Sequence, residues 1–129
     1  MPKQSTAVST VSLSILFLSL TACAGTHMNA HYAKSIVQPV AVQKIAEDQL
    51  SIQYNMPRES MYYSPGVNYA SNDGTLRVFI DRCHIKDKCS AMAKVPLPSE
   101  TGWQVAVRVP YHGEKVVMVY TDAEEQVYP

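Results

Sequence analysis

Residues 103–121 read WQVAVRVPYHGEKVVMVYT, and their pattern sets the class of the fold. In the first half, Val105, Val107 and Val109 alternate with smaller or polar residues, which predicts a strand with one buried and one solvated face. The second half, residues 116–120, is apolar on both faces and indicates a central or covered strand. Residues 110–114 (PYHGE) between them are typical of a turn, so the whole stretch predicts a β-hairpin.

A second hairpin is predicted just upstream, in residues 71–82 (SNDGTLRVFIDR). Its first four residues are of the types that tolerate the positive φ angles of tight hairpin turns. After the turn, Leu76, Val78 and Ile80 fall on one face of a strand.

The segments before this hairpin are less uniform. Residues 50–54 (LSIQY) alternate cleanly and predict another strand. Residues 36–42 fit an edge strand, because Pro39 has no N–H to give to a central ladder. Residues 41–50 (AVQKIAEDQL) fit a strand or a short helix equally well, and the pattern does not separate the two. Residues 64–66 (SPG) have turn chemistry.

Six or seven strands in roughly 95 residues favour a mainly β fold, either a small antiparallel β-sandwich or a barrel-like sheet, with at most one short helix. The composition agrees, since eight Tyr and eight Pro accompany only two Phe. Eleven basic residues balance eleven acidic ones, so the charge argues against a nucleic-acid partner.

The N-terminal residues have the pattern of an export signal. Lys3 gives a short positive region, and residues 11–20 (VSLSILFLSL) are rich in aliphatic side chains. This apolar stretch is shorter than the ~20 residues that span a bilayer. The next residues, Leu20-Thr21-Ala22-Cys23, resemble the lipobox of bacterial lipoproteins. The alternative is an ordinary signal peptide that is cleaved nearby and leaves Cys23 without lipid.

The lipoprotein resemblance implies that Cys23 receives a diacylglyceryl group and that the chain is cut before it. Acyl chains on Cys23 would tie the protein to a bacterial membrane. Ala24 stands where an Asp tends to retain enteric lipoproteins at the inner membrane, so the resemblance implies the outer membrane. The predicted organisation is a signal peptide over residues 1–22, a lipidated Cys and flexible tether over 23–35, and a single β-rich domain over 36–129.

Two further cysteines, Cys83 and Cys89, are predicted to form a disulfide, because an exported chain folds where disulfides persist. Closing such a small loop stabilises a protein by roughly 2 kcal/mol in the chain-entropy model. An alternative reading is a copper or zinc site that combines Cys83, His84 and Cys89 with side chains of the segment 27–31 (HMNAH), although the cysteine spacing is not that of a zinc finger.

No established catalytic motif is present in the sequence. His112 is a candidate general base if a Ser or Asp lies near it, and a solvated turn residue otherwise. The carboxylates are scattered along the chain, so no acid–base pair of the glycosidase type is indicated.

Three tyrosines, Tyr62, Tyr63 and Tyr69, form a candidate binding loop for a protein or glycan, because tyrosine gives a large contact area at low entropy cost. The alternative is that they cover a small core. Trp103 is expected to anchor the core.

These observations favour a non-enzymatic accessory or binding protein, anchored by lipid at the periplasmic face of a membrane, without a cofactor and with a protein partner in the envelope. A periplasmic metal-binding protein and a small cell-wall hydrolase or hydrolase inhibitor are the alternatives.

Overall fold

A computed structural model describes residues 28–96 and 103–129 of the chain, and this part is mainly β. A 3₁₀ turn and ten strands follow one another in this order: the turn Lys34–Ile36, β1 Ala41–Ala46, β2 Gln49–Asn55, β3 Tyr62–Tyr63, β4 Gly66–Asn72, β5 Thr75–Ile80, β6 Cys83–His84, β7 Ala93–Lys94, β8 Gln104–Pro110, β9 Lys115–Val119 and β10 Glu124–Tyr128.

The strands form two facing sheets and one small ribbon. The first sheet has the order β1-β2-β8, the second has the order β10-β9-β5-β4-β7, and β3 pairs with β6 alone. All pairs are antiparallel except β5 with β9, which is parallel. Because β7 lies beside β8 and β1 beside β10, the two sheets meet along both margins. The predicted mainly β, sandwich-like fold is confirmed.

The alternating strands put their apolar side chains between the sheets. Leu50, Ile52 and Tyr54 of β2 point into the core, as do every second residue of β8 and the centre of β9. The fully buried side chains include Leu50, Ile52, Tyr54, Val67, Leu76, Val78, Val109, Val116 and Met118. The alternation read from residues 50–54 and 105–109 therefore identifies the buried face correctly.

The hairpin predicted at residues 71–82 is confirmed. β4 and β5 pair from Val67↔Ile80 to Asn72↔Thr75, with Asp73 and Gly74 between them. Both turn residues have positive φ, 51° and 73° respectively. This is the geometry that a two-residue hairpin turn requires.

The hairpin predicted from residues 103–121 is wrong. β8 pairs along its whole length with β2, whereas β9 lies in the other sheet between β5 and β10. Residues 110–114 cross between the sheets and are fixed at each side, since Tyr111 N–H donates to Asp48 O and Lys115 N–H to Gly74 O. Paired with β8, the apolar strand β9 would lie at the edge of its sheet and would have a neighbour on one side only. Between β5 and β10 it has a neighbouring strand on both sides, which covers it better. The predicted central strand at residues 116–120 is thus confirmed, but its predicted pairing with the strand at residues 103–109 is wrong.

Residues 41–50 form strands and not a helix. β1 and β2 are antiparallel, with Ala41 opposite Gln53, and the turn between them is residues 47–48. Pro39 lies before the strand rather than within it, so β1 begins at Ala41 and not at Ile36. Among the described strands, β1 does form the edge of its sheet, with one row of its backbone groups left without a strand partner there.

The segment before β1 packs on the domain. Tyr32, in the region predicted as tether (23–35), is only 4% exposed, and Thr121 N–H donates to Tyr32 O. The packed domain therefore extends N-terminally at least to Tyr32. The predicted signal peptide (1–22) and Cys23 lie outside the described residues, and among the described residues no helix is long and apolar enough to cross a membrane.

The segment enters where β5 and β9 end, and we call this part of the domain the Tyr32 end. The opposite part, which holds the β4–β5 turn and the β8–β9 connection, is called the His112 end.

Candidate functional site

A two-stranded ribbon projects from the Tyr32 end and is closed by a disulfide. Tyr62 pairs with His84 and Tyr63 with Cys83, and Ile85 N–H donates to Met61 O at 2.9 Å. The chain turns back after β6, so that Cys83 bonds Cys89 with their Cα atoms 6.0 Å apart. This is the cysteine pair that the sequence predicts. We refer to residues 61–63 and 83–89 as the Tyr62 ribbon.

The ring of Tyr62 is held between two side chains. The guanidinium of Arg82 lies 3.7 Å from the ring centroid, and the imidazole of His84 meets the ring edge-on at 5.1 Å. Glu59 accepts two hydrogen bonds from Arg82, at 2.8 and 3.1 Å. These bonds raise the pKa of Arg82, so the guanidinium stays charged. The result is a surface stack of carboxylate, guanidinium and aromatic ring in fixed order.

The structure separates the three tyrosines of the predicted binding loop. Tyr63 and Tyr69 pack against the core and are half-buried, as the core-cover alternative expects. Tyr69 lies on β4, where its N–H donates to Met92 Sδ at 3.5 Å. Tyr62 alone takes part in the stack with Arg82. The sequence analysis assigned these residues to one loop because they are close in the chain. In the structure they lie on β3 and β4, which pair with different strands.

Beneath the ribbon lies a small group of buried polar atoms that the sequence did not reveal. The hydroxyls of Tyr54 and Ser64 are 2.7 Å apart, and Ser64 also donates to Gly66 O at 3.2 Å. Burial raises the pKa of Tyr54 to about 12, although the bond to Ser64 acts in the opposite direction. Burial likewise raises the pKa of Tyr32, and the Glu59 carboxylate adds to the effect. Both phenols therefore stay neutral near pH 7.

Trp103 is not the core anchor that the sequence predicted. It is 45% exposed, and the guanidinium of Arg58 lies 4.8 Å from its ring centroid. Trp103 lies in a turn before the first ladder residue of β8, so the inward alternation of that strand does not extend to it. It joins a set of exposed apolar side chains at the Tyr32 end: Ile36, Met61, Ile85 and Trp103.

The structure does not bring together the ligands that the alternative of a copper or zinc site requires. Cys83 and Cys89 are bonded to each other and so supply no thiolate, while His84 Nδ1 accepts from Lys86 N–H at 3.1 Å. His31 lies 3.5 Å from Asp81, and His27 is outside the described residues. Within residues 28–96 and 103–129, no three His, Cys, Asp or Glu side chains converge as a metal site would require.

The histidine considered for catalysis lies at the opposite end of the domain. His112 Nδ1 is 3.6 Å from the carboxylate of Glu114, which is itself buried. Ser71 donates its hydroxyl to Glu114 at 3.1 Å and not to the imidazole. The Glu114 carboxylate, which accepts from the Ser71 hydroxyl and from His112 N–H, thus ties the β8–β9 connection to β4.

The outer faces of the sheets carry open grooves. One groove has a volume of about 380 Å³ and crosses the β1-β2-β8 sheet to β7. Its walls combine two cations with small or aliphatic side chains: Ile45, Ser51, Lys94, Pro96, Ala106 and Arg108. None of these described lining residues is a carboxylate or a histidine.

Neither the protein-family models, nor the curated proteins, nor the solved structures compared with this chain give a match. The functional argument therefore depends on the residues themselves.

Proposed function

We propose that this protein is a lipid-anchored accessory protein of the bacterial cell envelope, non-enzymatic, and held at the periplasmic face of a membrane, with the outer membrane as the expected one. The observation that carries the proposal is the place where the N-terminal segment joins the domain. His31 and Tyr32 lie at the Tyr32 end, where His31 is 3.5 Å from Asp81 and Tyr32 O accepts from Thr121 N–H, near the Tyr62 ribbon and the four exposed apolar side chains. An anchor at Cys23 would hold this end towards the membrane.

Two features support the export part of the proposal. The lipobox-like Leu20-Thr21-Ala22-Cys23 follows an apolar stretch of signal-peptide length. The Cys83–Cys89 bond closes the Tyr62 ribbon, and such bonds form and persist in oxidising compartments. The two features are independent of each other, since one lies in the leader and the other in the folded domain.

The accessory role is supported by the surface chemistry of the domain. The groove across the β1-β2-β8 sheet presents the cations Lys94 and Arg108 beside small or aliphatic side chains, a surface that a protein partner could contact. The His112 end and the outer sheet faces, away from the anchor, are free to meet a protein partner of the envelope.

The anchor is tested by growing cells that make the full chain with labelled palmitate. We expect label on the purified wild-type protein and none on the Cys23→Ser variant. Unlabelled wild-type protein, or protein that keeps its first residues, would refute the lipid anchor. Crosslinking of the labelled protein in its own membrane, followed by capture, then tests the accessory role; recovery of no envelope protein at any crosslinker length would count against it.

A further inference from the structure

We propose that the Tyr32 end is itself a membrane-docking surface, which inserts Ile36, Met61, Ile85 and Trp103 into the interfacial region of the bilayer that holds the anchor. This inference rests on the proposed lipidation of Cys23. It adds a second, non-covalent contact and thereby fixes the orientation of the domain.

Backbone hydrogen bonds place the four side chains at the same end. Asn55 N–H donates to Val37 O at 2.9 Å, which sets the 3₁₀ turn and its Ile36 beside the end of β2. The next residue, Met56, donates to Trp103 O at 2.7 Å and so brings the start of β8 to the same place.

The other two apolar side chains are carried by the Tyr62 ribbon. Met61 and Ile85 are joined by a backbone bond across the ribbon, which follows directly from the end of β5. The four side chains are 43–55% exposed. Among the described residues, the other exposed large apolar side chains are Ile45, at 42%, and Met92, at 51%. Exposed apolar side chains grouped at one end mark a contact surface.

The residue types suit the boundary between lipid and water. Trp prefers the interfacial region, because its ring is apolar while its N–H needs a polar partner. Arg58, stacked on Trp103, can keep its charge among the head groups while its stem lies along apolar surface. Lys86 and Lys88 follow Ile85 in the exposed turn of the ribbon and can meet lipid phosphates.

The length of chain between Cys23 and the domain favours the bilayer as the partner that covers the Tyr32 end. Tyr32, where the packed domain begins, follows Cys23 by nine positions, so the connection spans at most about 32 Å. A tether of this length keeps the Tyr32 end within reach of the bilayer and makes its contact with lipid effectively intramolecular. The seven-residue β2 sets the His112 end about 20 Å further away.

Trp103 is the only tryptophan in the chain and therefore reports on this contact directly. The lipidated protein is reconstituted into vesicles of phosphatidylethanolamine and phosphatidylglycerol that contain a phospholipid with brominated acyl chains. We expect a blue-shifted Trp103 emission, quenching by the brominated lipid and protection from aqueous iodide. A Met61→Asp/Ile85→Asp variant should lose much of the quenching, while Ile45→Asp, an exposed apolar residue far from the Tyr32 end, should leave it unchanged.

The outcomes separate this inference from the function on which it rests. Protein that carries palmitate but shows iodide-accessible Trp103 without lipid quenching would overturn the docking surface and leave the anchor intact. Trp103 protected from iodide but not quenched by lipid would mean that a second copy of the chain covers it, which also overturns the inference. Absence of palmitate from the wild-type protein would overturn both proposals. Intact Cys83–Cys89 bonds and unchanged far-ultraviolet circular dichroism verify that each variant is folded.

Discussion

The guanidinium of Arg82 lies 3.7 Å from the ring centroid of Tyr62. The same guanidinium binds Glu59 through two nitrogens, so one planar group joins the ribbon to the loop before it. Arg82→Lys keeps the charge but removes the planar, two-point contact. Because both side chains are about one-third exposed, we expect a loss of only about 1 kcal/mol in the free energy of unfolding, measured by urea denaturation.

Arg108→Lys provides the matched control for this change, because Arg108 is exposed on the outer face of β8 and should tolerate lysine without a measurable loss. Equal stability of the two variants would show that the stack contributes nothing to folding.

The Cys83–Cys89 bond should stabilise the domain. Cys83→Ala/Cys89→Ala removes the cross-link, and we expect the free energy of unfolding to fall by roughly 2 kcal/mol, with a further cost from truncating the buried Cys83. Reductant should lower the urea midpoint of the wild-type protein but leave that of the double variant unchanged. A wild-type midpoint that ignores reductant would contradict the prediction.

Gly66 is required by the close approach of β7. A Cβ at this position would lie 1.9 Å from the carbonyl oxygen of Ala93, so backbone would have to move. We expect Gly66→Ala to cost more than about 3 kcal/mol, since it breaks the β4–β7 pairing as well as straining the chain. Thermal denaturation provides the measurement.

Gly113→Ala is the control for Gly66→Ala. Gly113 also has a positive φ, 90°, but a Cβ there meets nothing within 4 Å. Its cost should be limited to backbone strain, on the order of 1–2 kcal/mol. If Gly66→Ala were no worse than Gly113→Ala, the close approach would not constrain the sequence.

Tyr54 should make the domain sensitive to alkali. Its pKa is about 12 in the folded state, against 10.0 for the free side chain. Above pH ~10 the unfolded chain releases this proton while the folded chain keeps it, so folding loses about 1.4 kcal/mol per pH unit up to pH ~12. Below pH ~10 the phenol is neutral in both states, and the full stability is present.

The Tyr54→Phe variant tests this relation. Its urea midpoint should be lower than that of the wild-type protein at pH 7, because the bond to Ser64 is lost. Between pH 10 and 12 its stability should fall less steeply than that of the wild-type protein. Parallel pH profiles for the two proteins would assign the alkaline loss to other groups.

Part of the candidate site was accessible to sequence reasoning. The Cys83–Cys89 pair followed from the export signal and the spacing, and Tyr62 was singled out with two other tyrosines. Glu59 and Arg82 were not identified, because they are far apart in the chain and meet only when β3 pairs with β6. Trp103 was misplaced, because a strand pattern gives no information about the turn that precedes it.

The amino-acid sequence by itself determined the strands around residues 50–54, 75–80, 105–109 and 116–120, the buried face of those that alternate, and the position of the Asp73-Gly74 turn. These properties are local, since they follow from side-chain alternation and from backbone φ preferences. The tertiary structure alone decided that β8 pairs with β2 while β9 lies between β5 and β10. Alternation makes a strand two-sided but does not choose its neighbour. That choice belongs to the arrangement of all ten described strands that buries the most apolar surface and leaves the fewest backbone groups without a partner.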